Sequence, residues 1–214
     1  MSISLRRFFL QKLNQVVTAC AVGWTLLRRQ GPSQIQFWFI ALAVGIVAGF
    51  AALLFRKGIE GLQAWVYGTD DVHNLASFAS SLPWYLILII PIFGGLLTGI
   101  ILHWFTKDAV VRSVADVIEG AALRDGQVGT RAGMASALAS LITLSSGGST
   151  GREGPVVHIA AVISTKVSRW IKADGITGRD LLGCAVAAAV SASFNAPIAG
   201  ALFALEVVLR HFAV

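Results

Sequence analysis

The strongest constraint in this chain is where charge is missing. Gly31 to Phe55, Asn74 to Thr106, Ala132 to Gly151 and Leu181 to Leu205 contain no Asp, Glu, Lys or Arg. About twenty apolar residues cross the ~30 Å hydrocarbon core of a bilayer as a helix. The nearly unbroken apolar runs Phe37–Phe55 and Leu82–Phe105 reach that length. Composition agrees, since 13% of the 214 residues are charged and 56% are hydrophobic, whereas a soluble domain carries about 25% charged residues. A bilayer is the better solvent for this sequence.

The formal net charge of +6 does not point to nucleic acid. Its basic residues sit at the edges of apolar runs, not in one patch with a stacking platform. Their distribution is topological instead. Residues 1–30 set Arg6, Arg7, Lys12, Arg28 and Arg29 against Leu5, Phe8, Phe9, Leu13, Val16 and Val17, which predicts an amphipathic helix on the cytoplasmic surface. Arg56 and Lys57 after the first span are offset by Glu60, Asp70 and Asp71 in the expected loop. That places the N-terminus inside and residues 31–214 in a multi-pass transmembrane domain of the cell (inner) membrane. Cys20 and Cys184 are isolated, with neither a disulfide framework nor a metal-ligand spacing around them. No cofactor is expected, and no cleavable signal is visible.

The later runs are broken. Pro91 and Gly94-Gly95 interrupt the second, predicting a kinked or tilted helix. A brief helix at the cytoplasmic face suits the mixed segment from Lys107 to Arg131. Ala132–Gly151 is rich in Ala, Ser and Gly, which lets helices pack closely, and it ends in Ser145-Ser146-Gly147-Gly148-Ser149-Thr150-Gly151. Pro155 restarts an apolar segment that reaches only Thr165, too short for a simple span. Phe194-Asn195-Ala196-Pro197 splits the last run. Backbone that leaves the helix at membrane depth is tolerated where it lines a protein-enclosed or watery path, and such half-helices aim their N-termini at anions.

Gly151-Arg152-Glu153-Gly154-Pro155 carries most of the chemistry. Pro155 suits a first helical turn, and the neighbouring N–H groups, with Val156 next in line, form the partial positive charge of an anion site. Gly154 permits close approach of a bare ion. Glu153 would compete with the anion for those donors, which makes it a gate, or else pairs with Arg152 as a helix cap. In Phe194-Asn195-Ala196-Pro197, Asn195 reads as an N-cap and Pro197 as the first residue of the next helix. A phosphate-binding loop fails here, because the Lys-Ser/Thr ending and a preceding strand are missing. Ser145 or Ser146 with His158 would serve an intramembrane hydrolase only with a nucleophile–base contact. His158 otherwise reads as a packing or hydrogen-bonding residue.

Gly151–Pro155 followed by Val156-Val157-His158 resembles the GREGPxVx signature of the CLC chloride channels and proton-coupled chloride transporters. Phe194–Gly200 followed by Ala201-Leu202-Phe203-Ala204-Leu205-Glu206 is similar to that family's FNAPLAGxLFxxE segment. The resemblance runs from the first span to the C-terminus. It implies an all-α polytopic fold of tilted and broken transmembrane helices, forming the N-terminal half of an inverted repeat. It further implies a homodimer with one anion path per subunit, no enzymatic activity, and Glu153 as the gate. The family's first anion motif, GSGIPE, falls on Val111–Asp116, where Arg112 takes the place of its ion-contacting serine and Ser113 lies one residue away. Val207 stands where proton-coupled members carry an inner glutamate, which favours a passive channel over an antiporter. The GxFxP motif and pore tyrosine of the family's second half are absent, so the sequence reads as half of the path, or as a non-conducting fragment.

Overall fold

The computed structural model describes residues 34–68, 83–106 and 108–210. The basic segment 1–30 and the acidic pair Asp70-Asp71 lie outside them. Among the described residues there are seven α-helices and no strand. They are α1 (Gln34–Tyr67), α2 (Trp84–Phe105), α3 (Val114–Leu123), α4 (Thr130–Ser145), α5 (Glu153–Ile171), α6 (Gly175–Phe194) and α7 (Pro197–Phe203). A π-helical turn, Ala204–Val208, continues directly from α7.

Helix α1 corrects the expectation of a loop after Phe55. It continues through Arg56, Lys57 and Glu60 to Tyr67. Glu60 accepts from Arg56 at 3.3 Å and from Lys57 at 2.9 Å, so the charges support the helix on its own surface. Gly68, at φ +68°, ends it. At 34 residues and ~1.5 Å per residue, α1 is about 51 Å long, well beyond the hydrocarbon thickness. Helix α2 runs unbroken through Pro91, whose missing N–H is tolerated inside spanning helices.

These two helices are long and apolar enough to cross a membrane. Trp38, Phe39, Phe50 and Leu54 on α1, with Trp84, Ile92 and Phe93 on α2, stand more than half exposed. An apolar surface of that extent is a lipid-facing or partner-facing one.

The core lies on the opposite side, where α5 and α6 are packed between α1, α3 and α4. Val157, Ala160, Ala161, Leu181, Leu182, Ala185, Val186 and Ala189 are fully buried. Small side chains dominate because the helices approach closely. Gly45 and Gly49 of α1 face Ala188 and Ala192 of α6, and a Cβ on Gly45 would meet that of Ala188 at 3.5 Å. Helix α2 packs on α4, where a Cβ at Gly94 would strike Ser146. Close by, Thr98 Oγ1 lies 3.3 Å from the Ala139 carbonyl and 3.1 Å from Thr143 Oγ1. Two polar links, the first of them buried, add to this packing. The Val128 N–H donates to Thr165 Oγ1 at 3.0 Å, and Gln63 Nε2 donates to the Leu144 carbonyl at 3.1 Å.

Candidate functional site

Three helix starts were expected to face an ion, and each is built differently. Helix α5 begins at Glu153, with Pro155 in its first turn. Contrary to the expected stop at Thr165, it runs on to Ile171 and ends at Lys172 in the left-handed conformation. Lys166 and Arg169 do not break it, because they are exposed on its outer side while Ser168 and Ile171 continue the buried face. No side chain caps its N-terminus, and none of the ion pairs among the described residues joins Arg152 to Glu153. Both side chains are exposed. The Glu153 carboxylate folds back so far that a Cβ on Gly151 would collide with it. Around Gly154 there is open space, while Pro155 and Val156 are buried. The helix start thus presents backbone on one side and a carboxylate on the other. Arg152 lines a separate cavity of about 390 Å³ with Arg56, Glu60, Gln63 and Thr150.

Helix α3 starts at Ser113 with a capping box. Ser113 Oγ accepts from the Ala115 N–H at 3.2 Å, and Asp116 Oδ2 accepts from the Ser113 N–H at 2.7 Å. The donors of this helix start are therefore partly taken by its own residues. Arg112 is also engaged: its guanidinium bonds Asp116 Oδ1 at 3.0 Å and Asp108 Oδ2 at 3.2 Å, and its backbone N–H donates to Ser136 Oγ at 2.9 Å. Arg112, Asp108, Asp116 and His158 line one cavity of about 260 Å³. Glu153 lines neither this cavity nor the one at Arg152.

Helix α7 corrects the reading of Asn195. Asn195 ends α6 as its C-cap, at φ +54° and ψ +36°, and Ala196 is the N-cap of α7 with no side-chain bond. Asn is among the few residues that enter the left-handed region at modest cost, so it terminates one helix instead of starting the next. Pro197 does begin α7. Phe194 and Asn195 are exposed, and Ala196 is half-buried. Gly200 lies against the Ser191 hydroxyl and the Ala187 carbonyl, with no room for a Cβ.

Sequence reasoning gave His158 a packing or hydrogen-bonding role and missed its position on α5 against α3 and α4. Its ring is 2% exposed and Nδ1 has no hydrogen-bond partner. It rests on Gly133 of α4, where any Cβ would overlap the imidazole. The ring's sequence signal is its place three residues beyond Pro155, one turn into α5. No nucleophile–base contact forms there, since Ser145 Oγ is likewise without a partner and Ser146 Oγ donates to the Thr143 carbonyl at 3.1 Å.

Residues 94–214, more than half of the chain, match the family described as voltage gated chloride channel. A protein named as ClcB-like from Ralstonia nicotianae is 35% identical over 173 residues, covering 79% of this chain and 40% of the relative. The voltage-gated ClC-type chloride channel ClcB of Escherichia coli is 34% identical over 173 residues, covering 78% and 40%. The ClcB of Shigella boydii gives the same values. The chain spans about 40% of the length of these relatives. All-helical, with two membrane-length apolar helices, a broken helix at Asn195-Ala196 and the GREGP turn at the head of α5, this chain belongs to the voltage-gated chloride channel family.

Proposed function

We propose that this chain lines part of a path for chloride or a similar small anion through a membrane, and that the path works as a passive channel. The observation that carries this reading is the start of α5. An uncapped helix N-terminus opens beside Gly154, with the Glu153 carboxylate folded back over Gly151. Free N–H groups at such an end attract an anion. A carboxylate held there is a natural competitor that leaves when protonated or displaced. Gly151, Arg152, Gly154, Pro155 and Val156 would form this end of the path, and Phe194–Pro197 would offer a second helix start to it. Arg112 and Ser113 contribute positive charge and a capped helix end on the α3 side.

Passive conduction is favoured because Val207, 36% exposed in the π-helical turn, cannot carry a proton. The basic residues of segment 1–30 support a cytoplasmic N-terminus in the inner membrane. The exposed apolar faces of α1 and α2 suit lipid and a second copy of the chain. The test is Glu153→Ala in reconstituted vesicles. Anion flux should rise and lose its dependence on pH, whereas unchanged flux with an unchanged pH profile would reduce Glu153 to a helix-end residue.

A further inference from the structure

We propose that the cavity between α2, α4 and α5 binds an anionic glycerophospholipid, its phosphate held by Arg131 and Lys166 and an acyl chain laid over Ile101, Phe105, Met134 and Leu138. The cavity measures about 340 Å³. Its floor is apolar, and Phe105, Met134 and Leu138 are each about half exposed. Its two charged residues are both cations, and among the described residues no acidic side chain lines it. An apolar floor under a purely cationic rim complements an amphiphile with a negative head.

The depth of the cavity fits that ligand. Helix α2 has 22 residues, about 33 Å at ~1.5 Å per residue, close to the ~30 Å of a hydrocarbon core. Phe105 is its last residue and so lies at one edge of the hydrocarbon. Trp104 beside it is exposed, as expected of an indole at the headgroup level. Arg131 stands at the same edge, its guanidinium 5.5 Å from the centre of the Phe105 ring. Ile101 lies one turn deeper along α2. Met134 and Leu138 follow Arg131 at helical spacing along one face of α4. The rim therefore sits where phosphates lie and the floor where acyl chains lie.

The charges at the rim are unanswered within the chain. Neither Arg131 nor Lys166 takes part in an ion pair among the described residues. Arg131 is the second residue of α4, which starts without a side-chain cap. A cation in a first turn meets the positive end of the helix dipole, an unfavourable pairing that a neighbouring anion reverses. Lys166, exposed on α5, supplies the second positive charge. A zwitterionic head would bring a third cation to this rim, and inorganic phosphate would leave the apolar floor uncovered.

The test uses the full chain, purified in neutral detergent and stripped of lipid, with dioleoylphosphatidylglycerol as the probe and native mass spectrometry as the readout. One phosphatidylglycerol should bind per chain in preference to phosphatidylcholine at the same concentration. Arg131→Gln with Lys166→Gln should weaken that binding about thirty-fold, the combined effect of two cations beside a lipid phosphate. Lys172→Gln with Arg179→Gln removes the same charge from exposed positions outside the cavity and should leave binding unchanged. Should the first pair fail to fold, Lys166→Gln alone should weaken binding about fivefold. Leu138→Gln, which leaves the charge unaltered, should also reduce it. Equal binding of the two lipids, or equal loss in the two double variants, overturns the proposal. Displacement of the lipid by an equal concentration of inorganic phosphate, or full binding in Leu138→Gln, would show a phosphate site without a lipid groove and overturns it as well.

Discussion

Gly133 offers the sharpest test of the packing described above. It sits in α4 directly beneath His158 and Val162 of α5, and a Cβ there would lie 2.8 Å from Val162 Cγ2 and 2.9 Å from His158 Nε2. Real Cβ atoms do not tolerate such distances, so Gly133→Ala must push α5 away or distort both side chains. Overpacking of this kind costs about 1–3 kcal/mol. The same substitution also improves helix propensity by about 1 kcal/mol. Gly95→Ala in α2 separates the two effects, because nothing lies within 4 Å of its Cβ position. It carries the propensity gain alone. The difference between the two variants is therefore the packing cost, about 1–3 kcal/mol, with Gly95→Ala the more stable. Reversible unfolding in mixed micelles, followed by far-UV circular dichroism, reads this difference directly. Equal stability of the two variants would refute the close α4–α5 approach. Val162→Ala combined with Gly133→Ala should recover part of the loss, leaving the clash with the imidazole.

Other consequences follow from particular contacts. Asp174 caps α6 by accepting from the Thr177 N–H at 3.0 Å, and the Thr177 hydroxyl, with that N–H, holds its carboxyl below the ordinary carboxylate range. Its contribution is present above the unfolded-state value and fades as pH falls through the lower folded one; Asp174→Ala should cost about 1 kcal/mol near neutrality and nothing in strong acid, by unfolding at both pH values. Thr165→Val removes the acceptor of the buried Val128 N–H and should cost about 1–3 kcal/mol, with Thr165→Ser restoring most of it in the same assay. Vesicles loaded with chloride should show anion efflux without uphill proton uptake, as Val207 provides no inner acceptor; stoichiometric proton uptake would refute the channel reading.

Much of the architecture was legible in the chain itself. Charge-free runs of membrane length announce α1 and α2, since hydrocarbon solvates no ions. Pro155 and Pro197 mark helix starts, because a proline's missing N–H is harmless only in a first turn. The GREGP and FNAP segments locate the family because both must build irregular backbone, and few sequences do so.

Local reading failed where two local rules competed. Asn195 satisfies both an N-cap and a left-handed C-cap, and only the path of the chain between α6 and α7 chooses. Arg56 and Lys57 look like the end of a span, yet their pairing with Glu60 on one helical face carries α1 onward. Contacts between distant segments lie beyond any local pattern. Asp116 grips Ser113 and Arg112 within one turn, but the meeting of Arg112 with His158 depends on how α3 docks against α5. The His158 ring fits against α4 because Gly133, twenty-five positions earlier, leaves room for it. Sequence alone determined which segments must be helical and which must break, through the demand that backbone be satisfied in lipid. Tertiary structure alone decided which charges share a cavity, because that depends on distances between helices that only packing sets.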